Sequence, residues 1–171
     1  MELIRGRHNL RSRHRGCAVT IGAFDGIHLG HQAVLSHLKQ EADARGIATT
    51  VVTFEPLPRE YLRPLEAPPR ITTLRDKWPL LEACHVDHVL CLPFNERLRQ
   101  LSAREFVEQV FVEGLGVQYL AFAETKIVAK GQVLHTKPLD KHLLNELPCA
   151  ELSQALIEWQ AEHVIDMTGL K

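Results

Sequence analysis

Two histidines three residues apart stand inside a glycine-studded run, Ile21-Gly22-Ala23-Phe24-Asp25-Gly26-Ile27-His28-Leu29-Gly30-His31, and this run limits what the chain can fold into. Just before it, Cys17 to Ile21 is short, apolar and β-branched, the composition of a buried strand. Just after it, Gly30 to Arg45 carries the signals of a helix and stops at Gly46. The run is therefore a turn from the carboxyl end of a strand into the amino end of a helix. Glycines 22, 26 and 30 let the backbone approach a ligand closely, and free N–H groups at a positive dipole end favour anions. His28 and His31 add donors where phosphate charge develops in a transition state. The pattern reads as a phosphate site.

Two plainer readings are weighed against it. His-x-x-His could supply two metal ligands from one helical face, but zinc needs three or four and no matching Cys/His cluster occurs, so no metal is expected. Asp25 has the character of a helix cap, a role compatible with ligand contact.

The wider pattern alternates strands and helices. Ile47 to Phe54 is a second buried strand, Asp87 to Phe94 a third and Val117 to Ala123 a fourth. Between Glu55 and Arg70 lie Pro56, Pro58, Pro64, Pro68 and Pro69, which predicts a long loop or flap without regular structure. Thr73 opens a helix toward Cys84, and Pro79 predicts a kink or a late start there. Ser102 and Glu105 form a capping box, after which Phe106, Val107, Val110 and Phe111 make one apolar stripe. This alternation requires right-handed crossovers, an α/β fold with a Rossmann-like parallel sheet, helices on both faces, and a ligand crevice at the strands' carboxyl ends.

With 171 residues, 45% of them apolar, the chain can bury a full core as one domain without disulfides. A formal net charge of −1 predicts no general affinity for nucleic acid, and no membrane segment is expected. Arg5, Arg7, Arg11, Arg13 and Arg15 crowd the opening, where no apolar stretch follows as in a secretory leader, so they read as a solvated basic edge. Cys17, Cys84, Cys91 and Cys149 form no Cys-x-x-Cys pair and read as reduced residues of a cytoplasmic protein. Oligomeric state is not legible.

The run from Gly22 to His31 resembles the Gly-x-Phe-Asp-Gly-x-His-x-Gly-His motif of the FMN adenylyltransferase module of bacterial FAD synthetases, the bifunctional riboflavin kinase/FMN adenylyltransferases. Val51 to Glu60 is similar to that family's second-strand exit, Arg70 to Lys77 to its next helix entry, and Ser102 to Val117 continues the likeness, which covers residues 1 to about 117. The resemblance implies a fold of the nucleotidyltransferase superfamily and transfer of AMP from ATP, as its Mg²⁺ complex, to FMN, giving FAD and pyrophosphate. It implies that His28 and His31 stabilise the triphosphate and are the catalytic pair. Gly22, Ala23, Phe24, Asp25, Gly26 and Gly30 would shape the nucleotide pocket, and Phe54, Pro56 and Pro58 would flank the flavin. Phe54 reads equally well as core.

The last third departs from the family. All 13 arginines precede residue 105, and Lys126, Lys130, Lys137, Lys141 and Lys171 carry the later basic charge. Where the family has Gly-x-Asp-Phe-x-Phe-Gly, this chain has Ala123 to Gly131, and no Ser/Thr-rich stretch ending in arginine follows. Any late cation on the β- and γ-phosphates would then be a lysine, Lys126 or Lys130. The riboflavin kinase barrel, ~120–150 residues in ordinary domain terms, does not fit after this module. Residues 1–122 therefore read as the core and 123–171 as a divergent segment completing the same domain, with a strand over 127–135 and helices over 138–147 and 151–164. Two functions stand: an adenylyltransferase, or a non-catalytic nucleotide-binding remnant or regulator.

Overall fold

A five-stranded sheet organises the computed structural model, which describes residues 1–121, 127–129 and 132–134. Its strands are β1 (Glu2–Arg5), β2 (Ala18–Ile21), β3 (Thr49–Glu55), β4 (His88–Pro93) and β5 (Tyr119–Ala121), in the order β1-β4-β3-β2-β5. Every pairing is parallel, as an alternation of strands and helices demands. The four expected strands are present: β2 and β3 are one residue shorter than their apolar runs and β4 two, while of Val117 to Ala123 the strand takes Tyr119–Ala121 and residues 122–123 lie outside the described residues.

The fifth strand, β1, was not expected. Its sequence is four residues with two apolar positions between a glutamate and an arginine, too short to show a period. Ile4 is buried on the sheet while Arg5 is exposed, so the charges sit at the ends of an edge strand and blunt it. The rest of the basic opening folds as two 3₁₀ turns, Arg7–Asn9 and Ser12–His14.

Alternate strand residues face opposite sides, and each side has its own cover. On one side Val51, Val89 and Ala18 meet Leu35, Leu38 and Ala42 of α1 (Leu29–Arg45). Leu81 of the later helix over 74–83 joins them. On the other side Val19, Val52 and Leu90 pack on Val107, Val110, Phe111 and Leu115. That stripe belongs to a helix that starts α-helical at Ala103–Phe106, capped by Ser102 and Glu105, and continues with π-type winding over Val107–Leu115. The expected helices on both faces of a parallel sheet are thus observed.

The proline-rich segment departs from expectation. It contains a short helix, α2 (Pro58–Leu62), with Pro58 in the first turn, where its missing N–H costs nothing. The segment is fastened at its base, because the Arg70 guanidinium donates to both Glu55 oxygens at 2.9 and 2.7 Å and also to Glu60. A count of prolines ignores where each falls in a turn. The next helix, α3 (Leu74–Ala83), starts directly after its Thr73 cap and runs through Pro79, so the late start did not materialise.

Beyond β5, residues 127–129 and 132–134 form two antiparallel strands, Ile127–Ala129 and Gln132–Leu134, instead of one strand over 127–135. The helices expected over 138–147 and 151–164, with Lys126, Lys130 and Cys149, lie outside the described residues. Within the described residues no helix is long and apolar enough to cross a membrane.

Leu90 is fully buried between β1 and β3 and faces the Val110–Phe111 stripe. Leu90→Ala is expected to destabilise the fold by about 2–5 kcal/mol, read as a shift of the urea midpoint without loss of cooperativity.

Candidate functional site

The turn after β2 is held in an unusual backbone shape. Phe24 is left-handed (φ 48°, ψ 37°), Gly26 has φ 73° and Ile27 has φ 36°. Two non-glycine residues at positive φ cost free energy that the surroundings must offset. The Phe24 and Ile27 side chains are 3% exposed and sit in the core beside Leu35 and Leu81. A side chain at Gly26 would be strained by the positive φ, and its Cβ would also crowd the Ile71 side chain at 3.2 Å.

Asp25 does the tethering. Its carboxylate accepts from the Ile71 N–H at 2.9 Å, the Thr72 N–H at 2.8 Å and the Thr72 hydroxyl at 2.8 Å. The Gly26 N–H in turn donates to Thr72 Oγ1 at 2.8 Å. Asp25 therefore does not cap the following helix; it ties the turn to the entry of α3. Beneath them Lys77, 3% exposed, donates from Nζ to the Ala23 carbonyl at 2.8 Å. Burial pushes the Lys77 ammonium below its ordinary value, against the pull of Asp25. Burial also raises the Asp25 carboxyl, but the Ile71 and Thr72 donors and the Lys77 charge outweigh it and hold the group below the usual carboxylate range.

The two histidines meet at the start of α1. His28 is the helix cap, its Nδ1 accepting from the His31 N–H at 3.4 Å, and the two rings stack with centroids 3.8 Å apart. Gly30 makes room for this, because a Cβ there would lie 3.2 Å from the His28 ring. Phe24 backs His31 from the other side at 5.0 Å. Burial first, then the charges of His28 and Lys77, depress His31 below its ordinary value. Its Nδ1 is buried and has no hydrogen-bond partner, a state native interiors seldom leave unexplained. The exposed turn thus presents a neutral, stacked imidazole, helix-start amides and a buried cation below them, an arrangement suited to an incoming anion.

Beside the turn, at the carboxyl ends of β2, β3 and β4, an apolar cavity of about 580 Å³ opens between Ile21, Phe54, Phe94, Leu98 and Phe106, with Pro58 and Leu62 on its rim. Phe54 both packs against the core and lines this space, edge-on to Phe94 at 5.8 Å. Phe54 is thus both a core residue and a wall of this cavity. Pro56 is exposed and takes no part in the wall, so of the three residues expected there the structure brings Phe54 and Pro58 together and leaves Pro56 outside.

Sequence reasoning missed Thr72, Lys77 and Arg70 as parts of this site. The available signal was Lys77 itself, placed on the same helical face as the buried Leu81. A separate group, Glu2, His14 and His88, gathers at the opposite end of the sheet. There the Arg11 N–H donates to His14 Nδ1 at 3.0 Å, so neutral His14 carries its proton on Nε2 and offers it to Glu2 at 3.3 Å. Both ring nitrogens of His14 are thus engaged within the protein.

The family model described as FAD synthetase matches residues 10–142. The chain belongs to the FAD synthetase family. A bifunctional riboflavin kinase/FMN adenylyltransferase from Pseudomonas fluorescens is 53% identical over 120 residues, covering 70% of this chain and 38% of that protein. The Escherichia coli K12 protein of the same name is 43% identical over 125 residues, covering 72% and 40% respectively. The chain thus spans about two fifths of the length of these relatives. A crystal structure of a macrolide-efflux protein from Streptococcus pneumoniae has the same fold over 70% of this chain and 46% of its own, with TM-score 0.58 and 21% identity. The matched residues include the Gly22–His31 turn.

Because Asp25 titrates lower in the folded chain than in the unfolded one, its contribution is complete above the unfolded value near pH 4 and disappears as the pH falls through the folded value. The stability difference between wild type and Asp25→Asn is therefore expected to be largest near neutrality and to shrink on acidification, measured by urea unfolding at a series of pH values.

Proposed function

We propose that this chain is an FMN adenylyltransferase. The FMN phosphate attacks the α-phosphorus of ATP, a P–O bond forms, and pyrophosphate leaves with the electrons of the broken α–β bridge. Phosphoryl-type transfer asks for little covalent chemistry from a protein, so positioning and charge neutralisation carry the rate. The observation that carries this reading is the adjacency of two unlike spaces on one edge of the sheet. The glycine and histidine turn suits a polyphosphate, and the apolar cavity walled by Phe54, Phe94 and Phe106 suits a flat aromatic ring.

In this reading the triphosphate, arriving as its Mg²⁺ complex, lies over the amides of the turn and the start of α1. Gly22, Ala23, Phe24, Asp25, Gly26 and Gly30 shape that surface, and Lys77 supports it electrostatically from below. His28 and His31 are the groups that face the transferring charge. The flavin ring occupies the cavity with Phe54 and Pro58 at its side. A second reading, a nucleotide-binding protein without turnover, draws on the replacement of the family's Gly-x-Asp-Phe-x-Phe-Gly by Ala123 to Gly131. Direct assay of FAD and pyrophosphate from FMN and ATP decides between them.

Bringing polyphosphate to His31 raises the proton affinity of an imidazole that the free protein holds low, so ATP binding near neutral pH takes up a proton. Calorimetry of ATP·Mg²⁺ binding in buffers of different ionisation enthalpy should show that uptake in wild type and lose it in His28→Ala/His31→Ala. The same double variant should lose about 10²–10³-fold or more in FAD formation, the scale set by removing one charge-stabilising donor. Wild-type turnover with wild-type proton uptake in that variant would remove His28 and His31 from the site.

With lysine in place of arginine in the last third, a bidentate phosphate clamp is replaced by a point charge. ATP affinity is therefore expected to survive, while FMN affinity and turnover fall well below those of the Pseudomonas fluorescens relative measured under matched conditions.

A further inference from the structure

Many of the arginines divide by how they are held. Arg13, Arg45, Arg63, Arg70, Arg99 and Arg104 each stand beside a carboxylate. Arg7, Arg11 and Arg15 are anchored by neutral oxygens instead. Arg7 Nη1 donates to the Gln109 amide oxygen at 2.5 Å, Arg11 Nη1 to the His8 and Leu10 carbonyls at 3.1 Å, and Arg15 to the carbonyls of Val112, Glu113 and Gly114. Arg97 has no hydrogen-bond or ion-pair partner among the described residues. A neutral anchor fixes a guanidinium in space without cancelling its charge.

Two of these cations share one cavity. Arg7 and Arg97, with His8, Asn95 and Gln109, line a space of about 360 Å³ at the carboxyl ends of β1 and β4, and no acidic residue contributes to its wall. Gly6 shapes it. With φ 75° and its N–H donating to the Cys91 carbonyl at 2.8 Å, Gly6 lets the His8 ring fold back over it, where a Cβ would lie 2.8 Å from His8 Cε1. His8 Nε2 is steadied by Asn9 Nδ2 at 3.1 Å.

We propose that this cavity is a second anion site, which takes a phosphate group of a small molecule on the guanidinium groups of Arg7 and Arg97. The planar fork of arginine matches a phosphate in a way a solvated lysine does not, and a concave site favours a small ligand over an extended polyanion. The site is separate from the glycine and histidine turn. The turn follows β2, whereas this cavity follows β1 and β4 at the other end of the strand order, beyond the apolar cavity with which it shares Leu98 and Leu101. A free inorganic anion and the phosphate of a nucleotide offer the same chemistry to it.

The test uses ¹H–¹⁵N correlation spectra of the full chain, titrated separately with inorganic phosphate, pyrophosphate and ADP. Saturable shifts at the amides of Gly6, His8 and Asn95 are expected. In Arg7→Gln/Arg97→Gln the affinity read at those amides should fall about tenfold or more, with the turn amides of Gly26 and Gly30 responding to ATP as in wild type. Saturation by pyrophosphate at lower concentration than by ADP identifies a free anion as the ligand, and the reverse order identifies a nucleotide. Should the double variant fold poorly, Arg97→Gln alone serves, because its exposed side chain makes no hydrogen bond or ion pair among the described residues. Absence of saturable shifts in wild type up to millimolar anion overturns the proposal, as does an unchanged affinity in the variants. Neither result bears on FAD formation, which these variants are expected to retain.

Discussion

The carboxylate of Asp25 is the interaction on which the arrangement depends. A strand in a parallel sheet delivers its chain to the carboxyl edge with unpaired backbone, and the turn that follows must expose amides to a ligand while keeping its own shape. In this chain that shape includes positive φ at Phe24 and Ile27, which local sequence does not favour. One side chain resolves the conflict by collecting donors from Ile71 and Thr72, 46 and 47 residues away. The turn and the start of α3 then behave as one unit, and the buried Lys77 completes it from below.

This coupling has an electrostatic side. Lys77 donates to the Ala23 carbonyl close to Asp25, and each charge reduces the cost of burying the other. The outer surface of the turn therefore carries the positive ends of amide dipoles with a cation underneath and no carboxylate oxygen free to repel an anion, since those of Asp25 are committed inward. Neutral His31 adds to this by stacking on His28 without bringing a second like charge to a crowded place.

Much of this was legible in the sequence, and the reasons differ from element to element. β2, β3 and β4 announce themselves because strands buried on both faces need continuous β-branched runs. The turn was legible because glycine at positions 22, 26 and 30 answers steric demands that no other residue meets as cheaply. β1 was not, since four residues carry no measurable period and the strand exists only because β4 offers it an edge. α2 was hidden because prolines mark a loop by number but a helix start by position. Lys77 was hidden for a different reason: a lysine in a helix is ordinarily solvated, and only the fold reveals that this one points under the Ala23 carbonyl. Pro56 was the opposite case, a family position that the backbone turns outward.

The pairing of β1 with β4 also bears on how the chain is made. Glu2 lies opposite His88, so β1 has no edge to join until nearly ninety further residues are synthesised. At ~5–20 residues per second that wait is roughly 4–17 s. β2 and β3, joined by a single helix, have a much shorter loop to close. A nascent strand left waiting so long is a hazard where it is apolar, and the glutamate and arginine at the ends of β1 blunt it against pairing with a neighbouring chain.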